Sequence, residues 1–278
     1  MQLSLLASTP DIATTGYMVN LLLGPPAELA SEAKALGYDG IEFLPGPPGT
    51  VSIAEMGESL REWDVSLVAI NSGRIVAEGL TLLHPERAIR QRALDRLKDL
   101  LDFAGEFGVP VTLAGVKGSL PPGASIEGVA PRAEEVFGDL ARFAAARGSL
   151  LLLAPTDDAD SNFICTVDEA LAWVQRVSHP GFGLMLDMHQ LIRKESSVAE
   201  ALHRVGDHLR HVHLYDLGRI PPGIRKDSSL DWPGIVTALQ DIAYQGSLSV
   251  SLARAGDRRA QAQQTANFLR SLMDDATR

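Results

Sequence analysis

Eight short apolar runs, each followed by a longer stretch of helical spacing, organise this chain from one end to the other. Period-two strands that keep alternating with period-3.6 segments leave few folds open, because parallel strands return to one sheet through a helical crossover. The runs fall near residues 2–7, 39–44, 65–71, 109–114, 149–154, 182–187, 209–214 and 247–252. Their count, order and spacing predict an α/β fold, a (β/α)8 TIM barrel forming one domain over residues 1–278. A doubly wound open sheet is the competitor, and it would carry a glycine-rich phosphate turn after its first strand. Here that segment reads Ser8-Thr9-Pro10-Asp11-Ile12-Ala13, so no nucleotide cofactor is expected.

The clearest helix is expected from His84 to Phe107. Pro85 suits its first turn, Ala88, Ile89, Ala93, Leu97, Leu100, Leu101 and Ala104 make one apolar stripe, and Gly108 stops it. Another opens at Thr166, where Thr166-Val167-Asp168-Glu169 sets an acid three residues after a hydroxyl cap. Proline and glycine cluster at 45–49, 121–123 and 221–223, in the loops that follow strands two, four and seven. Those loops lie on the catalytic face of a barrel and shape the mouth of its pocket.

A formal net charge of −10 argues against nucleic acid or an anionic membrane as partner, since phosphate binding needs a basic surface. No apolar run is long enough to span a bilayer, and Met1 to Ser8 lacks a basic leader, so a strand in a soluble, cytoplasmic protein is expected. The single cysteine, Cys165, excludes an intrachain disulfide and a thiolate zinc site. A buried or half-buried structural thiol is the expected role.

In a barrel the residues that finish each strand converge on one cup. Strand two offers Glu42, strand three Asn71 and Ser72, and the loop after strand four Lys117. Strand five offers Asp157 and Asp158, strand six Asp187, His189 and Gln190, and strand seven His211, His213, Asp216 and Arg219. Lys117, Asp157 and Asp158 are expected at the loop surface, and Glu42 has a bland alternative as a hydrogen-bonding partner of a neighbouring strand or loop. Alternation sets His211 and His213 on one side of their strand. Asp187 and His213, at neighbouring strand ends, are expected to face each other, a pairing suited to metal binding or proton transfer. His84, His179, His203 and His208 lie at helix boundaries or on helices and read as structural.

Several segments then resemble a known family. They are Gly37-Tyr38-Asp39-Gly40-Ile41-Glu42, Asn162-Phe163 with Thr166 to Ala170, Leu186-Asp187, His211-Val212-His213-Leu214, Leu230-Asp231-Trp232, and Tyr244 to Ser249. In order and spacing they resemble the xylose isomerase-like barrels, a grouping of sugar isomerases and epimerases that includes inosose-processing enzymes, hydroxypyruvate isomerase and type IV apurinic endonucleases. The resemblance implies a small-molecule sugar or keto substrate and a possible homo-oligomer. It also implies one divalent ion (Mn, Mg or Zn) held by a glutamate, an aspartate, a histidine and a second glutamate that end strands five to eight.

Asp187 and His213 match two of those ligands. Ala154, followed by Pro155, stands where the first glutamate belongs, and Ser251 stands where the second does. In the family those glutamates also move the substrate proton, so both the metal shell and the acid/base pair are incomplete. Arg219 matches an arginine that binds a sugar hydroxyl or phosphate, and Gln190 replaces a substrate-contacting histidine. Two readings stay open. Either Asp157, His189, His211 or Asp216 completes a rearranged metal site, or the cup works without metal, with His213, Asp187 and His189 as catalytic residues. Arg219, Glu42, Lys117, Gln190 and His211 are the candidates for substrate binding. The functional expectation is an isomerase or epimerase of a small polyhydroxylated or keto compound; the alternative is a non-catalytic sugar-binding or scaffold protein derived from such enzymes.

Overall fold

A computed structural model describes residues 1–11, 22–157, 161–228, 230–253 and 255–275. Asp158, and Ile12 and Ala13 of the first loop, lie outside the described residues. The strands are β1 (Gln2–Ser8), β2 (Leu22–Leu23), β3 (Gly40–Leu44), β4 (Ser66–Ile70), β5 (Val111–Leu113), β6 (Leu151–Leu153), β7 (Phe182–Asp187), β8 (Leu209–Leu214) and β9 (Ser247–Val250). They form one sheet in the order β2-β1-β3-β4-β5-β6-β7-β8-β9, and β1 also pairs in parallel with β9. The ring of eight is the expected (β/α)8 barrel, with the two-residue β2 added beside the end of β1. All eight expected strands are present.

The chain divides into two compact units, residues 1–68 with 186–278, and residues 69–185. In the first, β1 pairs with β3 so that Leu6 lies opposite Glu42, and β8 pairs with β9 so that His213 lies opposite Ser249. Alternation then sorts the side chains. Leu3, Leu5, Ala7, Ile41, Phe43, Val212, Leu214, Leu248 and Val250 share one set of faces and are all buried. Ser4, Glu42, His211, His213, Ser247 and Ser249 share the other, and they too are buried. The apolar set supplies the favourable free energy, roughly 1.5–3 kcal/mol for each fully buried large aliphatic side chain. The polar set has to satisfy itself by hydrogen bonds.

In the second unit the helices Arg87–Gly105, Ile126–Ala145 and Val167–Val177 carry the apolar burial. Phe137 lies edge-on to Trp173 with ring centroids 5.5 Å apart and stacks on Phe182 at 5.9 Å. The helix at Thr166 opens with the expected capping box, Thr166 accepting from the Glu169 N–H while the Glu169 carboxylate accepts from the Thr166 N–H.

The helix expected from His84 begins later, at Arg87 with Glu86 as its cap, so Pro85 precedes its first turn. Local side chains explain the shift: the Glu86 N–H donates to His84 Nδ1, and the Arg90 guanidinium takes the carbonyls of His84 and Pro85. Ala93, Leu97, Leu100, Leu101 and Ala104 form the buried stripe, whereas Ala88 is exposed. Gly108 ends the segment with φ +65, a conformation that suits glycine.

Candidate active site

The polar centre of the first unit is Glu42. Its carboxylate accepts from His211 Nε2 at 2.6 Å and from His213 Nε2 at 2.9 Å to both oxygens. Strand β3 is not a neighbour of β8 in the ring, so these bonds run across the inside of the barrel. Glu42 has no exposure and His211 only 1%, a setting in which an unpaired carboxylate would be very costly. Burial works to raise the Glu42 pKa, but the two imidazoles overcome it and hold the carboxyl well below its usual range.

His213 sits between two carboxylates. Its Nε2 meets Glu42, and its Nδ1 lies 3.5 Å from Asp187 Oδ2. Burial alone would lower its pKa, yet Glu42 and Asp187 more than reverse this and push it up to about 10. Asp187 ends β7 and caps the helix Met188–Lys194, its Oδ1 accepting from the His189 N–H at 2.8 Å. Arg219 Nη1 approaches Asp187 Oδ2 at 3.4 Å. Against the opposing effect of burial, His213 and Arg219 hold the Asp187 pKa below its ordinary value.

The backbone presents Arg219 deliberately. After β8 the chain reverses at Asp216, whose N–H donates to Ile220 O at 2.7 Å and whose carbonyl accepts from Arg219 N–H at 3.1 Å. Gly218 and Arg219 both take left-handed φ, +77 and +59. For an arginine that conformation is a small cost, of the kind that persists where the surroundings fix the side chain. The guanidinium lies 5.4 Å from the Tyr215 ring centroid.

A serine ladder continues the network behind His211. Ser249 Oγ lies 3.1 Å from His211 Nε2 and 2.7 Å from Ser4 Oγ, which is 2.6 Å from Ser247 Oγ. A lone pair on His211 Nε2 facing an ionised Glu42 at 2.6 Å would be repulsive, so this nitrogen carries a proton and donates. The ladder was not singled out from the sequence. Its signal was present as Ser247, Ser249 and Ser251 on alternate positions of a buried strand.

Other expectations come out differently. Lys117 is not a surface group: it closes a single 3-10 turn, Gly115–Lys117, and is wholly buried, with Nζ donating to Thr156 Oγ1 at 2.7 Å and Ala114 O at 3.3 Å. Asp157 is buried as well, in the same unit, and its carbonyl accepts from Ser161 N–H at 2.9 Å. Asn71 closes a turn by accepting from Gly73 N–H, and Ser72 N–H donates to Thr112. His189 is half-buried on the first turn of a helix, so strand alternation no longer governs its direction. Gln190 is buried with Oε1 unpartnered among the described residues. Asp216 is buried, its Oδ1 accepting from Leu217 N–H at 2.6 Å. His84 and His179 each accept a backbone N–H, and His203 pairs with Asp241, as structural histidines do. Cys165 is half-buried with Sγ 3.2 Å from Ser161 O.

Among the described residues Glu42, His211 and His213 are the group whose ligating atoms come close enough to hold a metal, all within 4.8 Å of one another. As arranged both imidazoles are hydrogen-bonded to the Glu42 carboxylate at 2.6–2.9 Å. Ligands around a zinc-sized ion stand about 3.4 Å apart, from bond lengths of about 2.1 Å in a tetrahedron. An ion there would therefore have to spread the triad and displace its protons. At the set implied by resemblance, Ala154 brings a methyl group and Ser251 a buried hydroxyl without a partner among the described residues. The set implied by resemblance therefore keeps Asp187 and His213 as its strong donors.

A family model described as xylose isomerase-like TIM barrel matches residues 30–272. The chain is 28% identical over 225 residues to D-psicose 3-epimerase of Enterocloster bolteae, covering 78% of this chain and 73% of that protein. It is 27% identical over 229 residues to L-ribulose 3-epimerase of a Methylomonas species, covering 81% and 77%. A solved structure of L-ribulose 3-epimerase superposes with a TM-score of 0.81 at 18% identity, covering 99% of this chain and 95% of that one.

Proposed function

Since the chain belongs to the xylose isomerase-like TIM barrel family, we propose that it is a cytoplasmic isomerase- or epimerase-like enzyme. It acts on a small polyhydroxylated or keto substrate by proton transfer. The observation that carries this is His213 held between Asp187 and Glu42, with Arg219 on the same aspartate. The Nδ1–H of the protonated imidazole stands at the long distance of 3.5 Å from Asp187, so a carbonyl oxygen beside the Arg219 guanidinium can take it over and be protonated as negative charge develops there. Glu42 keeps that imidazole charged, and Asp187 orients it. His189, whose backbone N–H is held by the Asp187 carboxylate at the same strand end, is assigned the proton from carbon. Gln190 offers its carbonyl oxygen to a substrate hydroxyl. His211 braces the site through its buried hydrogen bond to Glu42. No step is assigned to Mn, Mg or Zn.

A second reading, a sugar-binding or scaffold protein without turnover, is favoured by one observation. Ala154 and Ser251 stand at the two positions where the resemblance implies proton-moving glutamates. Incubating the enzyme with a panel of keto sugars and inososes, and separating products by chromatography, distinguishes the two. The enzymatic reading expects a new epimer or isomer that vanishes with His213→Gln. Binding of a sugar without any product supports the second reading, and turnover that survives His213→Gln removes His213 from the chemistry.

A further inference from the structure

The resemblance implies a divalent ion, yet the two strong donors that remain for it, Asp187 and His213, are already committed to other protein groups. A histidine ligates metal through a ring nitrogen lone pair, so the nitrogen must be unprotonated. Both ring nitrogens of His213 face carboxylate oxygens, Nε2 at 2.9 Å from Glu42 and Nδ1 at 3.5 Å from Asp187. Two lone pairs aimed at two carboxylates would repel, so both nitrogens are placed to donate. Asp187 is equally engaged: Oδ1 caps the following helix and Oδ2 receives His213 and Arg219.

The result is an alternating row of charge, Glu42, His213, Asp187 and Arg219, in which each carboxylate touches a cationic group. We propose that His213 and Arg219 together replace the divalent ion, so that the centre is electrostatically complete without metal. Three features support a built replacement over a collapsed metal site. Glu42 lies beneath His213 with no exposure and accepts from both histidines, which fixes the imidazole from the side away from Asp187. Arg219 is delivered by a turn that holds its backbone at φ +59. Position 251, on the alternate-residue set that carries Ser247 and Ser249, bears a hydroxyl, so it adds no negative charge for an ion to neutralise. Removing the competing cation and adding a carboxylate should therefore create a metal site.

Three proteins test this: wild type, Arg219→Gln, and Arg219→Gln combined with Ser251→Glu. Each is stripped with chelator and titrated with Mn2+ and Co2+, with binding read by calorimetry and by the shift in melting temperature. These readouts do not involve turnover, so they stand or fall separately from the proposed enzymatic activity. For wild type the expectation is no saturable binding up to about 1 mM, a limit of about −4 kcal/mol in binding free energy, and no thermal shift. The double variant is expected to bind at least about tenfold more tightly than wild type, because it offers another oxygen donor and excess negative charge. Wild type that retains stoichiometric metal through purification, or binds it saturably with His213-dependent stabilisation, would overturn the proposal. Should the double variant not fold, the wild-type titration alone still decides. A folded double variant with wild-type metal affinity would also count against it.

Discussion

Replacing Glu42 by Gln removes one charge and almost no volume from a carboxylate wholly buried in the barrel. The carboxylate has no exposure, and its partners His211 and His213 are 1% and 8% exposed, so solvent screening does little to soften the change. Breaking a buried pair by deleting one partner typically costs about 3–5 kcal/mol, because the remaining charge stays desolvated. The pH dependence gives a second measure. The His213 pKa, raised from 6.5 to about 10, contributes stability that is complete below its unfolded value of 6.5 and is lost as pH rises through about 10. The depressed Glu42 pKa contributes stability that is present above its unfolded value and is lost as pH falls toward the folded one. Wild type should therefore gain most from the pair between about pH 5 and 6.5 and keep part of that gain to about pH 9.

Urea unfolding of wild type and Glu42→Gln, followed from pH 4 to pH 10, measures both. The expected loss at pH 6 is about 3–5 kcal/mol, and at roughly 2–4 °C per kcal/mol the melting temperature falls by about 10 °C. The difference between the two proteins should shrink toward pH 10 as His213 loses its proton. A loss below about 1 kcal/mol at pH 6, or a difference that does not vary with pH, would refute the claim that Glu42 holds a charged imidazole.

Arg219→Gly relieves the φ +59 backbone cost but deletes a cationic partner of the buried Asp187, so it should destabilise by about 1–3 kcal/mol, read by chemical unfolding. The same variant should weaken sugar binding, seen as a raised KM or dissociation constant. Thr166→Ala removes one half of a capping box and should cost about 1 kcal/mol by thermal or chemical unfolding, with no change in ligand binding. Gly246→Ala would put a methyl carbon 2.5 Å from the Arg210 carbonyl and 2.4 Å from the Tyr244 hydroxyl. It should therefore destabilise by about 1–3 kcal/mol, an overpacking cost measurable by calorimetry.

The strands were legible because period two, repeated eight times, is a property of whole segments and tolerates an error of a residue at either end. The cap at Thr166 was legible for a related reason: its two hydrogen bonds join residues only three apart. Residues beyond strand ends were harder. Lys117 and Asp157 look like loop groups in a string of letters, and their burial depends on how each loop folds back over its strand. His189 reads in the sequence as part of the strand-six end, although the backbone becomes helical at Met188. The facing of Asp187 and His213 followed from strand order, whereas the bond from Glu42 to both histidines crosses the ring between strands that are not neighbours. Sequence spacing carries no signal for such a contact; it requires closure of the barrel.

Proton exchange at substrate carbon is the most direct test of the central claim that this centre moves protons on a sugar. Wild type and His213→Gln would be incubated in D2O with ketoses such as fructose, tagatose, psicose and ribulose, and deuterium beside the carbonyl followed by NMR. The account predicts enzyme-dependent exchange with at least one ketose by the wild type, reduced at least about a hundredfold in His213→Gln, the usual contribution of a general acid or base. Exchange that persists in His213→Gln, or its absence with a ketose shown to bind the wild type, would contradict it.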